Sequence, residues 1–384
     1  MLSFLTCRKP RRFFIWLLCG VLLSLFWLVP VNEIVTTHRS AQATPPPAFI
    51  AGQLAYEQAD YATAIAEWQS LLNQTQHLEQ QIALLNNLSL AYQAVGDRAE
   101  GKRAIAKSLE LQGYDLATET LASDRAPDLT DFSQLPQSLD IYGQWHYLTG
   151  DTTTALRLWQ QAETYYADRA STQFSAWFDN QLNQARALQY LGYHLDAQEK
   201  LVALRDSLAT VSTLDPNDHV DLAIALGRIL RLVGQLEPAE NTLTTGECSD
   251  EAANLSSLCV LQTAVEQWGN QATSDRRSAL QLELGNTYRA IARQVQRLHT
   301  SPIAAVTGGE DAAKLDDRIN RTLQAYQQAA TLTTKTSQRV NAQLNELSFR
   351  AQMTELDATI GTPLVNFLLT TLNELPSDRP GIEA

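Results

Sequence analysis

The sequence predicts an all-α protein made of a row of helical hairpins. Alanine, leucine and glutamine, good helix formers, are plentiful, while the Val-Ile-Thr alternation of strands is scarce. The same order of residue types also recurs along the chain: a small residue, a turn, a second small residue, then a large apolar one. Hydrophobic residues make up 45% and charged residues 18%, a balance that lets such helices bury one face instead of staying disordered.

The N-terminus is expected to direct the chain to a membrane. In "CRKPRRFFIWLLCGVLLSLFWLVPV" a basic cluster precedes an apolar run over residues 13–31, and Ala41-Gln42-Ala43 forms an A-x-A cleavage site. These are the parts of a secretory signal peptide. The run is also long enough to remain as a membrane anchor, since about 20 apolar residues span a bilayer. Residues 1–43 are therefore read as a signal peptide or anchor helix, and residues 44–49, with Pro45, Pro46 and Pro47, as a Pro-rich linker. The expected location is export to the periplasm or exterior, or tethering to the membrane. The net charge is −13, and it becomes −17 once residues 1–43 are removed with their five basic residues and Glu33. Such an acidic body argues against general nucleic-acid binding, which depends on neutralising phosphates.

Residues 50–335 carry the repeats. The first, "AGQLAYEQADYATAIAEWQSLL", has Gly52, a turn at Ala59-Asp60, Ala64 and Trp68. The second has Tyr92, a turn at Gly96-Asp97, Gly101 and Ile105; the third has Gly143, Gly150-Asp151, Ala155 and Trp159. The fourth has Ala185, Gly192, Ala197 and Leu201, and the fifth Gly227, Gly234, Ala239 and Leu243. The sixth opens with Gly285 and Tyr288 and takes its second helix around Tyr326, after an insertion containing "TGGED". Two helices approach closely only where small side chains occupy their crossing, and a large residue then fills the space toward the next hairpin. Turn-to-turn distances of 37, 54, 42 and 42 residues imply unequal helices or loops. Residues 336–384 are expected to add two helices and a tail ending in "PSDRPGIEA".

These repeats resemble tetratricopeptide repeats. The resemblance implies a right-handed superhelical solenoid whose concave groove is lined by the first helix of each hairpin. It also implies which positions face the groove: the residue after the small one, and the residue three further on. Those positions are Gln53 and Tyr56, Leu90 and Gln93, Gln144 and Tyr147, Arg186 and Gln189, Arg228 and Arg231, and Asn286 and Arg289. Four arginines thus fall on one expected surface of an acidic chain. Guanidinium groups hold carboxylates through charge-assisted, often bidentate hydrogen bonds. The expectation is a groove that takes a protein or peptide partner with an acidic segment. The alternative is that these arginines pair with glutamates of neighbouring helices. Repeats one to three are neutral and aromatic on this face, which suits an apolar or extended peptide.

The segments "LELGNTYRA", "LQAYQQAA", "NAQLNELS" and "LPSDRP", behind an exported leader, resemble the N-terminal halves of cyanobacterial CHAT-domain proteins. In that family a caspase-like domain with a His/Cys dyad follows the repeats. The chain is expected to stop where that half would lie, and no residue here inherits its activity. Two readings follow: an exported or membrane-tethered scaffold, or the sensing half of a CHAT peptidase with a separate catalytic half.

No chemistry of its own is expected of the chain. The six histidines lack metal-ligand spacing, "TGGED" lacks the Lys-Ser/Thr of a phosphate loop, and no G-x-S-x-G elbow occurs. Catalytic residues, metal and cofactor are accordingly all expected to be absent. Cys248 and Cys259, in "GECSDEAANLSSLCV", are the candidate disulfide of an exported protein. The other reading is two unpaired small residues, with Cys259 buried on a helix face.

Overall fold

The structure, a computed structural model, describes residues 46–121, 134–166, 173–208, 215–237, 255–299 and 310–353. All belong to the second of the two units into which the chain divides, Arg39–Ala384. The expected leader (residues 1–43), the second expected C-terminal helix with the tail (residues 354–384) and Cys248 lie outside the described residues. No described helix is long and apolar enough to cross a membrane.

The described residues form thirteen helices and one two-stranded ladder. The helices are α1 (Pro47–Glu57), α2 (Tyr61–Leu72), α3 (Leu78–Val95), α4 (Arg98–Leu111), α5 (Leu135–Leu148), α6 (Thr152–Tyr166), α7 (Phe174–Tyr190), α8 (His194–Leu208), α9 (Pro216–Leu232), α10 (Ser257–Trp268), α11 (Ser274–His299), α12 (Glu310–Leu332) and α13 (Thr336–Met353). Each packs on its neighbour in the chain. From α3 onward each odd-numbered helix also packs on the next odd-numbered one, so α3, α5, α7, α9, α11 and α13 form an unbroken row. The arrangement is that of a helical repeat.

The turns follow the residue pattern closely. Ala59, Gly96, Gly150, Gly192 and Gly234 all have positive φ, between 61° and 91°, in the left-handed conformation that ends a helix. In four of them the following residue's N–H reaches back five residues. Asp60 donates to the Ala55 carbonyl (2.9 Å), Asp151 to His146 (2.9 Å), Tyr193 to Leu188 (2.9 Å) and Gln235 to Leu230 (2.8 Å). An aspartate then starts the second helix of the first three hairpins. The carboxylates of Asp60, Asp97 and Asp151 accept from the N–H groups of Thr63, Glu100 and Thr154 at 3.1–3.2 Å.

The small residues stand at the crossings. A Cβ on Gly52 would lie 2.3 Å from the Trp68 indole nitrogen, and one on Gly143 would lie 2.6 Å from that of Trp159. Both indoles sit in the space the glycines leave and donate to a carbonyl one turn earlier, Trp68 to Phe49 (3.3 Å) and Trp159 to Asp140 (3.1 Å). In the sixth hairpin a Cβ on Gly285 would meet the Tyr326 ring at 2.7 Å, so α11 and α12 pair across the long insertion. In the second hairpin Ser89 takes the small position and its hydroxyl donates to the Gly101 carbonyl at 2.8 Å.

Two features differ from expectation. Leu261 of α10 fills the space at Gly227, its side chain 2.7 Å from a Cβ placed there. The helix that closes on Gly227 is therefore Ser257–Trp268, and the segment containing Ala239 and Leu243 lies outside the described residues. The widest gap between turns also holds a short ladder, β1 (Tyr114–Asp115) against β2 (Thr120–Leu121), closed over the buried Tyr114, whose hydroxyl donates to Gln161 at 2.8 Å.

Buried polar residues join one hairpin to the next. Asn86 accepts from Ser108 (2.7 Å) and Ser138 (3.0 Å), and the hydroxyls of Ser257 on α10 and Thr287 on α11 share a hydrogen bond (2.8 Å). Asp140 of α5 accepts from Tyr166 of α6 (2.5 Å) and Asn180 of α7 (2.6 Å). Burial pushes the Asp140 carboxyl up to about 7, against the lowering effect of those two donors.

Candidate functional site

The candidate site is the surface along the odd-numbered row, and the sequence-predicted positions on it fall into three groups. Tyr56 and Gln93 are buried, not presented. Tyr56 is 5% exposed and packs edge-on against Tyr61 (5.3 Å between centroids) and beside Trp68 (5.9 Å). Gln93 is 7% exposed, donates to Ser89 at 3.0 Å and stands 3.2 Å from a Cβ placed on Gly101. Leu90, at 2%, is likewise core. The physical reason is the partner helix: Tyr61 and Trp68 cover Tyr56, and the missing side chain of Gly101 lets α4 close over Gln93. Gln53, half-buried, turns to Glu57 of its own helix at 3.2 Å.

A second group lies half-exposed between α5 and α7: Gln144, Tyr147, Arg186 and Gln189. The Tyr147 ring leans on Trp159 (5.7 Å) and meets Tyr190 edge-on at 6.2 Å. Partial burial raises the Tyr147 hydroxyl, opposed by the positive charges of Arg186 and Arg228. Arg186 donates to Asn183 at 3.2 Å and has no carboxylate at ion-pair distance among the described residues. Its charge is felt by Asp179, half-buried on the same helix and pushed up to about 8 by desolvation and the nearby charges of Asp218, Asp221 and Asp140.

The third group surrounds a glutamate that sequence reasoning did not single out. Glu283 of α11 has a side chain only 3% exposed. Arg231 of α9 donates to its Oε1 from Nε (3.0 Å) and Nη2 (2.6 Å). Arg228 and Asn286 donate to Oε2 at 3.3 and 3.4 Å. Burial raises the Glu283 carboxyl, yet the two guanidinium charges and their hydrogen bonds outweigh it and hold the group below the ordinary carboxylate value. At Arg228 and Arg231 the geometry is therefore that of arginines paired with a neighbouring helix. Asn286 also accepts from Tyr326 at 2.9 Å, which ties the cluster to α12.

Arg289 behaves differently. Its Nη2 donates to Ser348 (3.1 Å) and Gln352 (2.9 Å) of α13, both neutral, and its Nε is buried without a partner. Arg293, one turn on, shares the Gln352 oxygen. Sequence reasoning missed Arg293, Ser348 and Gln352. Arg293 stands four residues after Arg289, a spacing that shares a helix face, whereas no spacing could signal a contact to α13 some sixty residues away.

Among the described residues no group of three or more His, Cys, Asp or Glu side chains could hold a metal. Cys259 is buried on α10 and disulfide-bonded, while Cys248, the other half of the expected pair, lies outside the described residues. The chain is thus a helical-repeat protein with a charged, partly aromatic face along one row of helices. No protein-family model matches the chain, and no curated protein matches it.

Proposed function

We propose that the chain is an interaction scaffold of the tetratricopeptide type, exported or held at a membrane through residues 1–43, with no catalysis of its own. The face of the odd-numbered row is its groove, and the occupant is an extended peptide segment of a protein partner. One observation carries this reading. Arg186 and Arg289 stand on that face without a carboxylate at ion-pair distance among the described residues, although acidic residues outnumber basic ones. Tyr147 and the half-exposed Tyr190 add aromatic surface beside Arg186, the pairing an extended peptide uses for side chain and backbone together.

The test is a photo-crosslinking amino acid at Gln144 or Gln189, with equal labelling at exposed Glu199 on α8 as control. Peptide-bearing adducts at the first two positions only, lost in Arg186→Ala, support the groove. Adducts equally distributed over all three positions overturn it. Cys248 is the proposed partner of Cys259, and peptide mapping without reductant would show the linked pair.

The resemblance of "LELGNTYRA", which contains Glu283, Asn286 and Arg289, favours a second reading: the sensing half of a CHAT peptidase. A separate reading frame encoding a His/Cys dyad, whose product binds this chain, would support it.

A further inference from the structure

On helix α11, Arg289, Arg293 and Arg297 recur every four residues and so stand on one stripe. Like charges at this spacing destabilise a helix unless something neutralises them. Arg293 feels both neighbours: desolvation first, then Arg289 and Arg297, draw its guanidinium below its ordinary value. The facing helix offers little compensation. Arg289 and Arg293 converge on the side-chain oxygen of Gln352, with Ser348 one turn away, and neither has a carboxylate at ion-pair distance among the described residues. Glu346, the one carboxylate on α13, is held by Arg350 at 2.8 Å. On the neighbouring helix α9, Arg228 and Arg231 have their internal counter-ion in Glu283. The Arg289–Arg293 pair has a neutral amide where the first pair has a glutamate.

We infer that Arg289, Arg293, Ser348 and Gln352 form an anion subsite between α11 and α13 that takes the carboxylates of an acidic peptide. This rests on the groove reading and names which part of the ligand the groove recognises. The chemistry favours a short peptide over a polyanion. Two planar guanidiniums suit one or two carboxylates bidentately. A nucleic acid or an anionic bilayer would bring the whole surface of net charge −13 against like charge.

The test uses the full chain and a fluorescein-labelled hexaglutamate peptide, with hexaglutamine, single-stranded oligo-dT and phosphatidylglycerol vesicles as competing probes. Hexaglutamate is expected to bind, to weaken as salt rises, and to lose about tenfold or more in affinity in Arg289→Gln/Arg293→Gln, because each charge-assisted contact is worth about 1.5 kcal/mol or more. Gln352→Glu is the decisive variant, since it supplies the missing counter-ion from within. It is expected to abolish hexaglutamate binding and to raise thermal stability, so loss of binding cannot be ascribed to unfolding. No hexaglutamate binding by the wild type, unchanged binding in either variant, or preference for oligo-dT or vesicles overturns the inference. If crosslinking at Gln144 and Gln189 persists in that event, the groove reading survives without this subsite. If both fail, the groove reading falls with it.

Discussion

Removing Arg231 should destabilise the protein more than its position on a predicted groove would suggest. Glu283 keeps its charge in a nearly closed site because Arg231 gives it two hydrogen bonds of 3.0 and 2.6 Å, with Arg228 at 3.3 Å as a weaker second partner. Breaking a buried ion pair from one side costs about 3–5 kcal/mol, because the remaining charge is left in low dielectric. Arg228 stays behind, so we expect about 3 kcal/mol for Arg231→Ala. Arg228 is 42% exposed and its single bond is longer, so Arg228→Ala should cost about 1 kcal/mol. Urea denaturation followed by circular dichroism at 222 nm reads both, and hydrogen exchange on α9 and α11 locates the loss. Adding Glu283→Gln to Arg231→Ala removes the stranded charge and should recover more than half of the loss. The pH dependence follows from the same geometry. Glu283 is held below its ordinary value in the folded state, so its contribution is present above that ordinary value and is lost as pH falls through the depressed one. Arg231→Ala should shift this acid loss to higher pH. A cost under about 0.5 kcal/mol for Arg231→Ala, or no recovery in the double variant, would refute the argument.

Ala59→Gly should stabilise the first hairpin by about 0.5–1 kcal/mol in the same urea experiment, because a left-handed φ of 61° strains any residue with a Cβ. Gly143→Ala should cost about 1–3 kcal/mol despite alanine's better helix propensity, since the new methyl would stand 2.6 Å from the Trp159 indole; a gain in stability there would sink the close-crossing account. Asp140 and Asp179 act in the opposite sense to Glu283. Raised to about 7 and about 8, they keep in the folded state protons that an unfolded aspartate releases near its ordinary 3.8, so their contribution to stability declines as pH rises from about 4 to about 8. Asp179→Asn should therefore flatten the profile between pH 5 and 8 and add about 2 kcal/mol at pH 8, allowing for partial exposure. An unchanged profile would show that Asp179 titrates as an ordinary surface carboxylate.

The sequence alone determined the hairpins. Ala59, Gly96, Gly150, Gly192 and Gly234 mark every foreseen turn because left-handed conformation and capping are local properties, set within five or six residues. That Gly52, Gly143 and Gly285 stand at close crossings was legible too. Trp68, Trp159 and Tyr326, however, fill the space at the glycine of their own hairpin, where the sequence pattern predicts a large residue filling the gap toward the next one. The fifth hairpin shows where this breaks down. Leu261 fills the space at Gly227 from beyond a 24-residue span, and no local rule chooses it over Leu243. Which partners the arginines of this face meet was decided by tertiary structure alone. Arg231 and Arg289 occupy equivalent positions on their helices, yet Arg231 meets a buried carboxylate and Arg289 a neutral amide. Their partners, Glu283 and Gln352, come from other helices 52 and 63 residues away, so whether an arginine is an internal counter-ion or a ligand for something else depends on packing that no spacing encodes.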